Sequence, residues 1–245
     1  MEKKSLPEYC FEMLNNEVPI QRVAGFDHIE SVKLLSGDDG GGIKIYKGEK
    51  INKVTLVDFK LGSGTLSPFG KNEKIVEAEI FQVIPDFSYK IPVWGINSVI
   101  TDDGKYAFDT DLSFGFDPVE DYDFVMKYLD PFNDEYKKFF NRKDLKIVTL
   151  DTTTTWVRTY ISPVFIIAET TVDKMEVVYE LCSKMIRLWA EIYKDAVKQG
   201  DEFKQRQQAR LKSQYSGMKD SDRMGHVIRK LYGEETFEKF FRAMV

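Results

Sequence analysis

Apolar positions along the chain follow two different periods. Between residues 43 and 112 they alternate with polar ones or gather in short β-branched runs, the signature of strands; beyond residue 172 they recur every three or four residues, the signature of helices. An opening helix is predicted over residues 7–16, with Phe11, Met13 and Leu14 on its apolar side. Ser31–Leu35 and Ile43–Lys47 have strand character and flank the turn residues Gly37–Gly42, which predicts a hairpin. Ile51–Leu61 and Lys74–Ile84 are the strongest strand signals, joined by a loop over Gly62–Asn72. After the interruption at Pro85-Asp86, Val93–Thr101 and Tyr106–Leu112 predict a second hairpin across Asp102-Asp103-Gly104.

Residues 118–141 read as helical with a break at Pro131, residues 149–159 fit either state, and Ile161–Ala168 reads as a buried strand. Val172–Lys212 carries Val177, Val178, Leu181, Met185, Leu188, Trp189, Ile192 and Tyr193 at helical spacing. Two short helices, Met224–Tyr232 and Glu234–Met244, follow on either side of Gly233. Strands linked by hairpins imply an antiparallel sheet, covered by helices, rather than a βαβ winding. The absence of repeats and linkers makes one domain, residues 1–245, the simplest organisation.

Composition narrows the class. Apolar residues make up 42% and charged residues 31% of 245, ordinary for a globular chain and too apolar for a disordered one. The net charge of −5 argues against a duplex nucleic-acid binder. No apolar run approaches the length of a membrane span, and the N-terminus lacks the apolar stretch of a signal peptide, so a cytoplasmic protein is expected. Two cysteines, Cys10 and Cys182, and two histidines, His28 and His226, leave little material for a zinc site, and no metal is expected.

Individual motifs read modestly when taken alone. Gly40-Gly41-Gly42 lacks the Gly-Lys-Ser/Thr ending of a P-loop and suits a turn. Asp109 and Asp111, two apart on a strand, share a face and could meet each other or a metal, though a solvated acidic surface is the plainer reading. Asp220-Ser221-Asp222 suits a helix N-cap. His226, four residues after Asp222, could pair with it. Asn97 lies in a strand apolar on both faces and is expected to be a buried polar group in need of partners; Trp94 suits the core better than a pocket wall.

Two segments together carry a resemblance. Ile80–Ser98 runs from an apolar strand through Pro85 and Tyr89 to Ile91-Pro92-Val93-Trp94-Gly95-Ile96-Asn97. In Gln205–Val245, Asp222 stands eleven residues before Gly233, and Leu231-Tyr232-Gly233-Glu234 opens a final Phe-rich helix. With Ser162-Pro163 and the long helix after it, this resembles the ferredoxin-dependent bilin reductases over residues 50–245.

The resemblance implies an α/β/α sandwich with a central, mainly antiparallel sheet. It implies an enzyme that reduces a linear tetrapyrrole, biliverdin or a dihydrobiliverdin, to a phycobilin or phytochromobilin-type pigment. Electrons would arrive singly from reduced ferredoxin, with no cofactor bound in the enzyme, a monomer of the cytoplasm or of a plastid stroma. Asp222 matches the family's C-terminal pocket aspartate, and Asn97 a position that is Asp or Asn. Ile80 matches a position that is His, Asp or Asn elsewhere, so the chain departs from the pattern there; Ile cannot donate a proton. Glu79 and Asp58 are the alternative acids, Glu79 only if its strand is bulged. Trp94 would line the pigment pocket. Arg206, Arg210, Lys212 and Arg223 would form a cationic rim for the pigment's propionates.

Two other readings stay open: a bilin-binding or carrier protein on the same scaffold without reductase activity, and an unrelated sheet-and-helix domain. Residues 198–245 hold eleven Lys/Arg against seven Asp/Glu, a net of +4, while the other 197 residues carry −9. That asymmetry suits an acidic partner such as ferredoxin.

Overall fold

The structure, a computed structural model, describes residues 4–66, 73–148, 158–221 and 223–244. Its centre is an eight-stranded sheet: β1 (Ile20–Arg22), β2 (Gly41–Gly48), β3 (Ile51–Leu66), β4 (Lys74–Pro85), β5 (Val93–Thr101), β6 (Lys105–Ser113), β7 (Lys146–Ile147) and β8 (Ile166–Thr171). The spatial order is β1-β2-β3-β4-β5-β6-β8-β7, and every pair of neighbours is antiparallel.

The helices are α1 (Leu6–Glu17), α2 (Asp130–Phe140), α3 (Glu176–Asp195), α4 (Asp201–Ser221), α5 (Arg223–Tyr232) and α6 (Glu234–Met244). Ser5 caps α1 by accepting from the backbone N–H of Glu8, with Pro7 in the first turn where no N–H is needed. Among the described residues no helix is long and apolar enough to cross a membrane.

Strand alternation sorts the side chains onto two faces. The first face buries Val54, Leu56, Phe81, Val83, Trp94, Ile96 and Phe108 against Leu6, Cys10 and Leu14 of α1 and Leu181, Met185 and Trp189 of α3. The second buries Ile43, Ile45, Val57 and Phe59 against Ile228, Tyr232, Phe237 and Phe240 of α5 and α6. Farther along that face, Ile84 and Val93 meet Leu211 of α4. The result is the expected three-layer α/β/α sandwich.

Several elements differ from the sequence reading. Ser31–Leu35 forms only the single bridge Lys33↔Asp39, because Val32 and Leu34 spend their backbone bonds on a tight turn: Leu34 N–H reaches Asp38 O at 2.9 Å and Val32 N–H reaches Gly41 O at 2.8 Å. Pro131 does not break a helix but sits in the first turn of α2, and the irregularity lies upstream as a π turn over Val125–Leu129. The strand expected from Ile161 begins at Ile166, because the Asp111 side chain captures Ser162 and Pro163 has no N–H for a ladder. The helix expected over Val172–Lys212 is two helices, parted where Gln199 N–H donates to Ser88 O at 2.7 Å and Lys198 bridges Tyr89. Asp220 and Ser221 continue α4 along the backbone, and Asp222, directly before α5, lies outside the described residues. Residues 149–157 lie outside the described residues.

The glycine triplet is a docking point. A Cβ on Gly42 would stand 2.1 Å from Glu30 O, and one on Gly40 would stand 2.7 Å from the Tyr232 ring. Tyr232 uses that space: its hydroxyl donates to Gly40 O at 2.5 Å and approaches Lys60 O at 3.2 Å. Gly233, at φ +83°, then turns the chain from α5 into α6.

Candidate functional site

The second face is built from alternate residues of the central strands. On β4 these are Ile80, Gln82 and Ile84; on β5 they are Val93, Gly95, Asn97 and Val99. Register sets Ile80 beside Asn97, and Asn97 beside Asp109 of β6. Asn97 is exposed, not buried as expected, because the helices of this layer pack to either side of it. Its Nδ2 donates to Asp109 Oδ1 at 2.9 Å. Ile80 is half-buried and packs with the core under α5 and α6.

From Ile80 the row leads to Gln82, whose Nε2 donates to the Tyr215 hydroxyl of α4 at 3.3 Å, and on to Ile84. There a cavity of about 430 Å³ opens between β3–β4 and the helices α4 and α6. Ile84, Phe87, Leu211, Tyr215 and Phe241 wall it, with Lys53 and Lys212 among its polar residues. Burial drives the Lys53 pKa below the usual lysine value. Helix α4 turns Gln207, Leu211 and Gln214 inward, a stripe at helical spacing that is two-thirds polar. Gln207 Nε2 donates to Phe87 O and Tyr89 O, both at 3.0 Å; the buried Gln214 Nε2 has no partner among the described residues.

The sequence-predicted residues divide between the two faces. Trp94 is not a pocket wall: it is fully buried on the first face, where its Nε1 donates to Thr110 Oγ1 at 3.1 Å. Glu79 is also on the first face, since β4 is regular there and its bulge falls at Ile75/Glu77. Its carboxylate accepts from Leu6 N–H at 3.3 Å, the Tyr106 hydroxyl at 3.0 Å and Ser98 Oγ at 3.3 Å. Burial raises its pKa, with Tyr106 and Leu6 opposing. Asp58 lies opposite Glu79 in register, on the same first face, and is likewise raised by burial. Neither can substitute for Ile80.

Of the cationic rim, Lys212 lines the cavity; Arg206 is exposed and Arg210 half-buried, and neither lines it. Asp222 and the Arg223 side chain lie outside the described residues. His28 and His226 are exposed. Asp109 and Asp111 share the second face without pairing with each other: Asp111 accepts from the backbone N–H of Ser162 at 3.1 Å and from its hydroxyl at 2.5 Å. Burial pushes the Asp111 pKa up to about 7, against the pull of those bonds.

The sequence reading missed Lys53, Gln82, Tyr215 and Phe241. Period-2 alternation would set Lys53 on the face of Ile51, which belongs to the first-face core. A register shift between Ile51 and Lys53 turns Lys53 to the other side.

No family model matches the sequence, and no curated protein matches it. The solved structures do include a similar one: phytochromobilin synthase from tomato, in complex with biliverdin. The TM-score is 0.73 at 13% sequence identity, over 96% of this chain and 79% of that one. By this superposition the chain has the fold of phytochromobilin synthase.

Proposed function

We propose that the chain is a ferredoxin-dependent bilin reductase that binds biliverdin or a dihydrobiliverdin between the second face of the sheet and helices α4–α6. One observation carries this reading. The row Ile84–Gln82–Ile80 joins an apolar, lysine-bearing cavity to the exposed Asn97–Asp109 pair, beneath the C-terminal helices of a fold shared with a biliverdin-bound protein. A flat pigment with propionates needs such apolar walls, a few convergent polar groups and cations for its carboxylates.

Each double bond reduced takes up two electrons and two protons. In this reading ferredoxin delivers the electrons one at a time, drawn to the basic C-terminal portion of the chain. Asp222 supplies a proton, and Asn97 hydrogen-bonds the pyrrole edge; with Ile80 silent as a donor, the remaining protons come from water. The test is anaerobic incubation with biliverdin, and separately with 15,16-dihydrobiliverdin, plus a ferredoxin-reducing system, followed by product chromatography. A reduced bilin is the expected product. An unchanged, stably bound pigment after many turnover times overturns the reductase reading.

That last outcome is what a bilin carrier on the same scaffold would give. The observation favouring it is that Glu79 and Asp58 stand on the opposite face of the sheet from Ile80.

A further inference from the structure

We propose that the acidic, partly apolar surface of residues 117–130 docks a basic protein segment, one that presents an apolar anchor ringed by Lys and Arg. The surface belongs to the layer packed on the first face of the sheet, away from the face proposed for the pigment.

Two independent features meet there. The first is apolar. Phe124 and Leu129 are buried in the first-face core, with Val125 and Tyr128 packed against it, so the segment is held from one side. On its outer side Val119, Tyr122 and Met126 are 89%, 71% and 42% exposed, at spacings of three and four residues. Large apolar side chains gathered so closely on an outer surface mark an interaction site rather than ordinary scatter.

The second feature is charge. Residues 117–135 hold seven Asp/Glu and one Lys, a net of −6, in a chain whose total is only −5. Local structure uses some of these carboxylates. Asp117 accepts from Val119 N–H at 2.9 Å; Asp121 accepts from Phe124 N–H at 3.2 Å and pairs with Lys90; Glu135 pairs with Lys138 and Lys184. Lys127 is engaged by Asp195 at 2.7 Å. Glu120 and Asp123, exposed next to Val119 and Tyr122, have no side-chain hydrogen bond or ion pair among the described residues.

The charge selects the occupant. An anionic lipid surface, a nucleic-acid backbone and an acidic electron donor are all repelled by this segment. A basic segment is attracted: its apolar anchor covers Val119, Tyr122 and Met126, and its Lys and Arg meet Glu120 and Asp123 at the rim. An acidic donor is drawn instead to residues 198–245, where the net charge is +4, so the two kinds of partner take different surfaces.

The probe is a helical peptide with Lys on one face and Leu on the other. Its controls are a Lys–Ser peptide of the same charge and a Glu–Leu peptide. Titration by fluorescence anisotropy at low salt should show binding of the Lys–Leu peptide alone. Val119→Ser with Tyr122→Ser should weaken it about tenfold. Glu120→Gln with Asp123→Asn should weaken it at least about threefold, a loss that fades at high salt. Asp27→Asn with Glu49→Gln removes the same charge from exposed positions elsewhere and should stay within about twofold of wild type. Thermal melts confirm that the variants are folded. The proposal is overturned if the Lys–Ser peptide binds as tightly, if the Val119 and Tyr122 variant binds unchanged, or if the Asp27 and Glu49 variant loses as much as the Glu120 and Asp123 one. A dimer of the chain alone in sedimentation, or binding to phosphatidylserine vesicles, that is lost with Val119→Ser and Tyr122→Ser would give the surface to a second copy or to a membrane and overturn it likewise.

Discussion

Asn97 Nδ2 donates to Asp109 Oδ1 at 2.9 Å, from one central strand to the next, on the exposed stretch of the sheet's second face. Asp109 Oδ1 accepts from the amide nitrogen, so this bond sets the carbonyl end of the amide away from Asp109. The Asn97 carbonyl oxygen is then the end turned away from Asp109, and in the function proposed above it would accept from a pyrrole N–H.

Replacing Asp109 by Ala should release that amide to rotate. Biliverdin affinity is expected to fall about tenfold, the worth of one oriented hydrogen bond, with a shift of the bound pigment's absorption band. Asn97→Ala should do the same, and the double variant should be little worse than either single one. Titration by absorbance checks all three; additive losses would show that the two residues act separately.

Asp222→Asn should leave pigment binding within about threefold of wild type and slow product formation at least tenfold, the lower end of what a positioned general acid supplies. Single-turnover absorbance after adding reduced ferredoxin separates the two quantities. Wild-type rates in this variant would remove Asp222 from the reaction.

Trp94→Phe should spare the bound pigment's spectrum and lower stability by about 1–3 kcal/mol, because the indole and its bond to Thr110 belong to the first-face core. Chemical denaturation measures the loss. A changed spectrum at full stability would return Trp94 to the pocket.

Gly42→Ala should be more damaging than Gly40→Ala. At Gly42 the new Cβ meets the backbone oxygen of Glu30 at 2.1 Å, which cannot turn aside; at Gly40 its nearest contact is the end of the Tyr232 ring, at 2.7 Å. The expected losses are about 3 kcal/mol and about 1 kcal/mol, read from denaturation midpoints.

The buried Asp111 gives a pH dependence of defined sign. Its pKa is about 7 in the folded chain against an ordinary value of 3.8, so between those values the folded chain holds a proton that the unfolded chain has released. The stability it contributes is complete below about pH 4, declines as pH rises, and is lost above about pH 7. Asp111→Asn should reduce the wild-type fall in stability between pH 5 and pH 8 by at least about 1 kcal/mol. Urea titrations at the two pH values measure it; equal falls would place the carboxyl in contact with water.

The strands β3–β6 and the helices α1, α5 and α6 were legible in the sequence because local signals and burial agree there: alternation, an Asp-Gly turn, an amphipathic opening run, a glycine between two amphipathic runs. What escaped depends on partners distant in sequence. Ile161–Phe165 has the composition of a strand but answers to Asp111, and the break after Asp195 answers to Ser88 and Tyr89. At the site, the opposite facing of Glu79 and Ile80 followed from strand parity. Lys53 did not, because one register shift reverses parity and leaves no mark in composition. Asn97 was expected inside because its neighbours are apolar; whether a helix lies above it is decided by how α4 and α5 pack, which its own strand does not encode.

Strands β1 to β6 lie side by side in the order in which the chain runs through them. Each can pair with the strand just completed, so much of the sheet closes through short loops and pays little closure entropy before its contacts form. The first face has α1 from the start but still waits for α3, and the second waits for α4 to α6, which follow all the strands. During synthesis from the N-terminus, the platform bearing Ile80, Asn97 and Asp109 is therefore complete before anything roofs it. A ligand present at that moment meets an open apolar surface, and its binding and the docking of the final helices become one event.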